Sequence, residues 1–277
     1  MGSEPSRKRL IVNADDFGRT HAINQAVIEA HRRGLLTSAS LMVNGEAAAE
    51  AVILARQTPS LGVGLHLCLV GGRSTLSTAQ IPDLVDAHGC FSNAPVAAGW
   101  RYYFRRDLRP QIEREIAAQL DQFRQTGLRL DHVNGHLNLH LHPRVFDLLL
   151  PRLLPFKPVG FRLTRDPFWF NARLAGGRWA YRLSHALIFN VLAHQAQPRL
   201  RAAGLRHTDA VFGLLQTGRA DATFVGRLLD RLPPGDSELY SHPALDESQE
   251  ELAALLNPDL KDLATRRGIQ WVRYQDL

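Results

Sequence analysis

The run RLIVNADDFG, residues 9–18, carries an apolar strand straight into two adjacent acids, Asp15 and Asp16. Neighbouring carboxylates repel, and holding both at the end of a buried strand is costly unless a proton or a cation is shared between them. The other ligands of such a cation are therefore sought among histidines at other strand ends. His66 stands near the carboxyl end of the apolar segment LGVGLHLCL, residues 61–69. A lone strand histidine is more often a hydrogen-bonded core residue than a ligand. The tract DHVNGHLNLHLHP, residues 131–143, shifts that balance. His132, Asn134, His136, Asn138, His140 and His142 occupy its even positions, with Val133, Leu137, Leu139 and Leu141 between them. This alternation predicts a strand with one imidazole-rich face, followed by a helix that Pro143 starts. A helical i, i+4 pairing of His136 with His140 is the alternative, and Gly135 argues against it. One Asp and two His from three separate strand ends would form a facial metal site with positions left for water and substrate.

Two further rim candidates follow. In GFRLTRD, Arg162 and Arg165 fall after a fifth strand, where a guanidinium either orients a carboxylate, binds a substrate oxygen or is an ordinary surface Arg. In ELYSHPA, His242 ends a seventh strand and is held by Pro243. A general acid and a capping histidine are equally good readings of it.

Bringing such residues to one rim requires parallel strands whose carboxyl ends meet, as in barrels and open α/β sheets. The 277-residue chain has that rhythm, with apolar or β-branched segments near 9–15, 37–43, 61–68, 129–136, 159–163, 205–212, 237–241 and 269–274. Helical patterns fall between them, near 46–57, 110–126, 143–154, 219–231 and 247–266. The first helix is the clearest: Ile23, Val27 and Ala30 share a face, Thr20 can cap its start and Gly34 follows its end. Eight strands with intervening helices predict a single-domain α/β fold over 1–277, an irregular (β/α) barrel. Two segments break the rhythm. Residues 70–108 are rich in Gly, Ser, Pro and aromatics and too long for an idle connection, so they are read as a lid or binding loop. Residues 167–195 interleave Trp, Phe and Leu with Arg. They are either a helical insertion packed on the barrel or a lipid-facing element.

Composition bounds the partners. Lys and Arg number 33 against 27 acids, a net charge of +6 with a pI near 9.8, which favours anionic surfaces without naming one. The excess is scattered Arg, and no zinc finger, RNP-like aromatic set or basic block points to nucleic acid. Cys68 and Cys90 are too few for a disulfide framework, and a reducing, cytoplasmic setting is expected. The start MGSEPSRKRL lacks the apolar run of a signal peptide, and no segment reaches the roughly 18 apolar residues of a membrane span. MGSEPS fits a loose myristoylation pattern but reads better as a disordered start.

On these motifs the chain resembles the YdjC-like carbohydrate deacetylases. VNADDFG at 12–18, GLLTSASLMVN at 34–44, PSLGVGLHL at 59–67, HVNGHLNLH at 132–140, FRLTRD at 161–166 and SHP at 241–243 carry the likeness. Within the family it is most similar to the hopanoid-biosynthesis-associated deacetylases. The resemblance implies an irregular barrel, one divalent metal held by Asp16, His66 and His136, Asp15 as catalytic base, and His242 as acid. Zn²⁺ suits that donor set better than Mg²⁺, which is the alternative. Chitooligosaccharide-type relatives carry an acid and a His where this chain has Asn134 and Asn138, so the carboxylate orienting a ligand His is either missing or supplied by Asp131. The expected reaction is metal-assisted hydrolysis of an N-acetyl group on an N-acetylglucosamine-containing glycolipid, a glycosylated hopanoid, with contact to the inner membrane face. Arg162, Asn138, His140 and Trp169 are the expected substrate contacts, with Phe170 and Trp179 beside Trp169. Rival readings are a chitooligosaccharide deacetylase, a phosphoesterase that would want a second metal, and a non-catalytic carbohydrate- or lipid-binding barrel.

Overall fold

The eight apolar runs all become strands, and a parallel sheet covered by helices on its outer face explains why most of them are buried along nearly their whole length. The computed structural model describes residues 7–277, so the reading of MGSEPS falls outside the described residues. The strands are β1 (Lys8–Phe17), β2 (Ser38–Leu41), β3 (Gly62–Leu67), β4 (His132–Gly135), β5 (Gly160–Phe161), β6 (Ala210–Phe212), β7 (Gly235–Ser241) and β8 (Ile269–Trp271). The helices are α1 (His21–Arg33), α2 (Ala48–Arg56), α3 (Pro95–Phe104), α4 (Arg109–Gln125), α5 (Pro143–Leu153), α6 (Phe168–Leu174), α7 (Trp179–Ala202), α8 (Ala222–Arg231), α9 (Gln249–Leu256) and α10 (Pro258–Arg266).

Strand order is β5-β4-β3-β2-β1-β7-β6, with β8 beside the start of β1. The sheet curls until its two ends meet through a Gly160–Arg206 bridge and the Val211 N–H bonded to the Arg165 carbonyl at 3.0 Å. The result is the expected irregular (β/α) barrel, with its seam thinnest between β5 and β6. The local signals of α1 are realised: the Thr20 hydroxyl accepts from the Ile23 N–H at 3.3 Å, and the Gly34 N–H returns to the Ala30 carbonyl.

Three elements differ from the sequence reading. The alternating tract leaves the strand at Gly135, because β3 supplies no partner beyond Leu67. Residues 136–141 instead form a tight 3-10 turn with Leu137 and Asn138 at φ 52° and 56°, so the histidines do not share one strand face. The last predicted helix is two helices, since Pro258 lacks an N–H and Asn257 caps a fresh start by accepting from the Asp259 N–H at 2.9 Å. The Arg- and aromatic-rich segment becomes α6 and α7, running on to Ala202. Its anchor is a buried polar knot: Asp166 accepts from the Asn171 amide at 3.0 Å and the Leu215 N–H at 3.1 Å, and Arg182 donates to Asn171 at 2.6 Å. Burial pushes the Asp166 carboxyl up to about 7, against the pull of those donors. No helix among the described residues is long and apolar enough to cross a membrane.

Candidate active site

A regular strand sends successive side chains to opposite faces, so adjacent acids would not meet without help. The help is a bulge: β1 pairs with β2 at Ala14↔Ala39 and resumes at Phe17↔Leu41, which leaves one extra residue at Asp15 and Asp16. Asp16 takes φ 62°, a left-handed conformation that Asp tolerates better than bulkier residues. Gly18 follows at φ 92°, and a Cβ there would lie 3.0 Å from the Met42 carbonyl oxygen. Only glycine makes this strand exit without strain.

Asp16, His66 and His136 come together, each offering a donor atom within 4.8 Å of the others. Oδ1 of Asp16 lies 3.2 Å from His66 Nε2 and 3.0 Å from His136 Nδ1, while Arg19 donates to Oδ2 at 3.0 Å. His66 and Asn134 are register partners on β3 and β4. The Asn134 amide nitrogen donates to Ser40 and Asp15, so its oxygen accepts from His66 Nδ1 at 2.7 Å. That bond fixes the tautomer and turns the Nε2 lone pair of a neutral His66 towards a carboxylate oxygen. Two acceptors face each other there, an arrangement that requires a cation between them. Although burial works against it, the charges of Asp15 and Asp16 and the hydrogen bonds with Asp16 and Asn134 raise the His66 pKa, so a proton is drawn to the same place. The donor set and its electrostatics thus fit a divalent metal. The orienting group is Asn134 itself. Asp131 reaches it only indirectly, bonding His132 Nδ1 at 2.9 Å, whose Nε2 meets Ser40. Gly64 makes room for that ring, since a Cβ there would lie 2.6 Å from it. Alanine at Asp16, His66 or His136 is therefore expected to abolish stoichiometric metal binding while circular dichroism stays native. Full metal retention by any one variant would remove that residue from the ligand set.

Asp15 occupies the neighbouring seat. Arg162 grips it with two bonds of 2.7 and 2.8 Å, and Asn13 adds a third at 2.8 Å. Burial raises the Asp15 carboxyl, but the Arg162 and His66 charges outweigh it and hold the pKa well below the usual carboxylate range. Arg162 is fully buried, shared with Glu238 at 2.7 Å and stacked 4.2 Å from the Tyr240 ring centroid. It therefore orients a carboxylate and does not contact substrate, which corrects that part of the sequence reading.

A cavity of about 840 Å³ opens over these groups, with Asp15, His66, His136, Asn138, Tyr240 and His242 among its lining. His242 is partly exposed there. Its N–H donates to buried Glu251 at 2.6 Å and its ring Nδ1 lies 4.0 Å from the same carboxylate. Asn138 lies in the wall, accepting from Thr164 at 2.8 Å. His140 does not face the cavity: it is fully buried and donates through Nε2 to the Arg162 carbonyl at 2.9 Å, and burial takes its pKa down to about 3. It is a neutral structural group and not a substrate contact. Trp169 is 77% exposed but outside the cavity lining, and Phe170 packs on Phe212. The insertion contributes its second helix instead, through Tyr181, Ile188 and Leu192, and the 70–108 segment contributes Val96, Trp100 and Tyr103 of α3. Asn13, Ser40, Glu238, Tyr240 and Glu251 were missed from sequence. Only Asn134 carried a signal, by lying on the polar face of its strand.

A curled parallel α/β barrel with an Asp-His-His centre and a second carboxylate at one strand end thus defines the class. The family described as YdjC-like protein matches residues 9–266, and the chain belongs to it. A carbohydrate deacetylase of Geobacillus stearothermophilus is 32% identical, the alignment spanning 96% of each chain. A carbohydrate deacetylase of Brevibacillus brevis is 41% identical over 142 residues, 51% of this chain and 54% of its own, so the chain spans about half the length of that relative. A solved Enterococcus faecalis V583 structure, provisionally described as a cellobiose-phosphate cleavage protein, shares the fold with a TM-score of 0.75 and 25% identity over 98% of this chain and 99% of that one.

Proposed function

We propose that the protein hydrolyses the N-acetyl group of an N-acetylglucosamine unit carried on an apolar aglycone, releasing acetate and a free amine. The observation that carries this reading is a single apolar-walled cavity lined by the Asp15 carboxylate together with His66 and His136, whose donor atoms cluster with Asp16. The relatives described as carbohydrate deacetylases support the reaction, and the single three-donor cluster among the described residues favours one metal over the two of many phosphoesterases. Two imidazoles and one carboxylate suit Zn²⁺. When bound, the ion supplies Lewis acidity to water and to the acyl carbonyl. Asp15, always ionised at neutral pH, accepts the proton of the attacking water, and Arg162 keeps its oxygens aimed. His242, backed by Glu251, gives a proton to the departing nitrogen. The bond broken is the amide C–N bond, and the new C–O bond completes acetate.

The finer substrate is a glycosylated hopanoid, supported by the resemblance to the hopanoid-associated subgroup and by the α3 and α7 walls, which offer apolar area that a free sugar does not use. Burying a few aliphatic side chains against a polycyclic lipid supplies several kcal/mol, at about 25 cal/mol per Å². The test compares kcat/KM for N-acetylglucosaminyl hopanoid in micelles with that for di-N-acetylchitobiose. The wild type is expected to prefer the lipid, and Ile188→Ser with Leu192→Ser to erode the preference about tenfold or more. Equal rates on both substrates would leave a general amino-sugar deacetylase. Phosphate release from a sugar phosphate without any acetate release would overturn the reaction itself.

A further inference from the structure

α7 departs from the usual surface helix, which is polar on its outer face. Leu183, Leu187 and Val191 recur at intervals of four and are 57%, 66% and 48% exposed, although the opposite face of the helix is already packed through Ala186, Ala193 and Leu200. α3 repeats the pattern. Val96, Trp100 and Phe104 share the same interval and are 73%, 60% and 65% exposed, the last two rings stacked 5.4 Å apart. Val96 and Trp100 of the α3 stripe line the cavity together with Ile188 of α7, itself 53% exposed and next to Leu187, so exposed apolar side chains of both helices border it.

The segments that carry the stripes contain basic residues and no acidic ones. No Asp or Glu occurs between Asp86 and Asp107, which bracket α3, or between Asp166 and Asp209, which bracket α6 and α7. Exposed Arg101 and Arg178 point to the backbone oxygens of Asp83 and Thr217 and leave their charge uncompensated by those contacts. Arg144 and Arg178 lie against cavity-lining tyrosines, 5.3 Å from the Tyr103 centroid and 4.2 Å from that of Tyr181. A symmetric dimer through this face would set these Arg-bearing, acid-free segments against each other. A bilayer with anionic headgroups offers the complement instead: negative charge for the guanidinium groups, an interfacial layer for Trp and Tyr, and hydrocarbon for the stripes.

We propose that α3 and α7 seat the protein on an anionic membrane surface, with the cavity opening towards the bilayer. The inference rests on the surface alone and stands apart from the reaction assigned above. The test is co-sedimentation of the full chain, without substrate, with vesicles of phosphatidylcholine alone or mixed with phosphatidylglycerol. Binding to the mixed vesicles is expected to be at least about tenfold tighter and to weaken with added salt. Leu183→Ser, Leu187→Ser and Val191→Ser combined, and separately Arg101→Glu with Arg178→Glu, are each expected to release the protein while thermal melting monitored by circular dichroism stays cooperative. No binding by wild type, equal binding to both vesicles, or binding untouched by both variant sets would overturn the proposal. So would a concentration-dependent dimer in sedimentation velocity that the leucine variants dissolve.

Discussion

Asp15→Asn is expected to lower kcat by about 10² to 10⁴, with KM little changed, because an amide cannot take the proton of the attacking water at neutral pH. Fold and metal content are expected to survive. Arg162 keeps Glu238 as a partner at 2.7 Å, and Asp15 is not among the three clustered donors. Acetate release under saturating substrate, read beside metal content, is the measurement. Turnover within about tenfold of wild type would place the base elsewhere. His140 is then no substitute, since it lies outside the cavity and is held neutral by burial.

Arg162→Met is expected to cost about 3–5 kcal/mol of stability, because it strands Asp15 and Glu238 as buried carboxylates without their shared cation. The pH dependence has a definite sign. In the wild type, Asp15 is held below its ordinary pKa in spite of burial, so the stability gained from the pair is full above about pH 4 and is lost as pH falls towards the folded value. In the variant the largest opposing charge is gone and burial pushes the Asp15 carboxyl upward against only His66 and the amide donors, so the stability that the pair gave near neutrality is lost while less is lost near pH 4, at about the ordinary carboxylate value. Urea unfolding is therefore expected to show a larger gap between the two proteins near pH 7.5 than near pH 4.5, at about those values. An equal gap at both would show that the loss is one of packing and not of charge.

The same ion pair shows where sequence reading stops. Arg162 stands after a fifth strand, and nothing nearby distinguishes a guanidinium that meets substrate from one buried beneath a carboxylate. The decision lies with Asp15, 147 positions away, and Glu238, 76 positions away. The second role of the insertion was legible only in outline for a similar reason. Its Arg and aromatic interleaving marked a special surface, but the choice of α7 over Trp169 as cavity wall depends on how the Asp166 knot ties α6 and α7 to the barrel.

What the sequence determined by itself was everything governed by local period and local chemistry. Apolar runs separated by amphipathic segments specify parallel strands and covering helices, Thr20 and Pro143 mark helix starts, and adjacent acids beside two histidine-bearing strands mark where the three-donor cluster forms. Tertiary structure alone decided three things. The β1 bulge turned two consecutive carboxylates to one centre, Asn134 took the orienting role by register with His66, and the histidine tract left its strand at Gly135. Each of these depends on which strand lies alongside and where its ladder ends, and hydrogen bonds between distant segments are set by packing and not by the residues on either side.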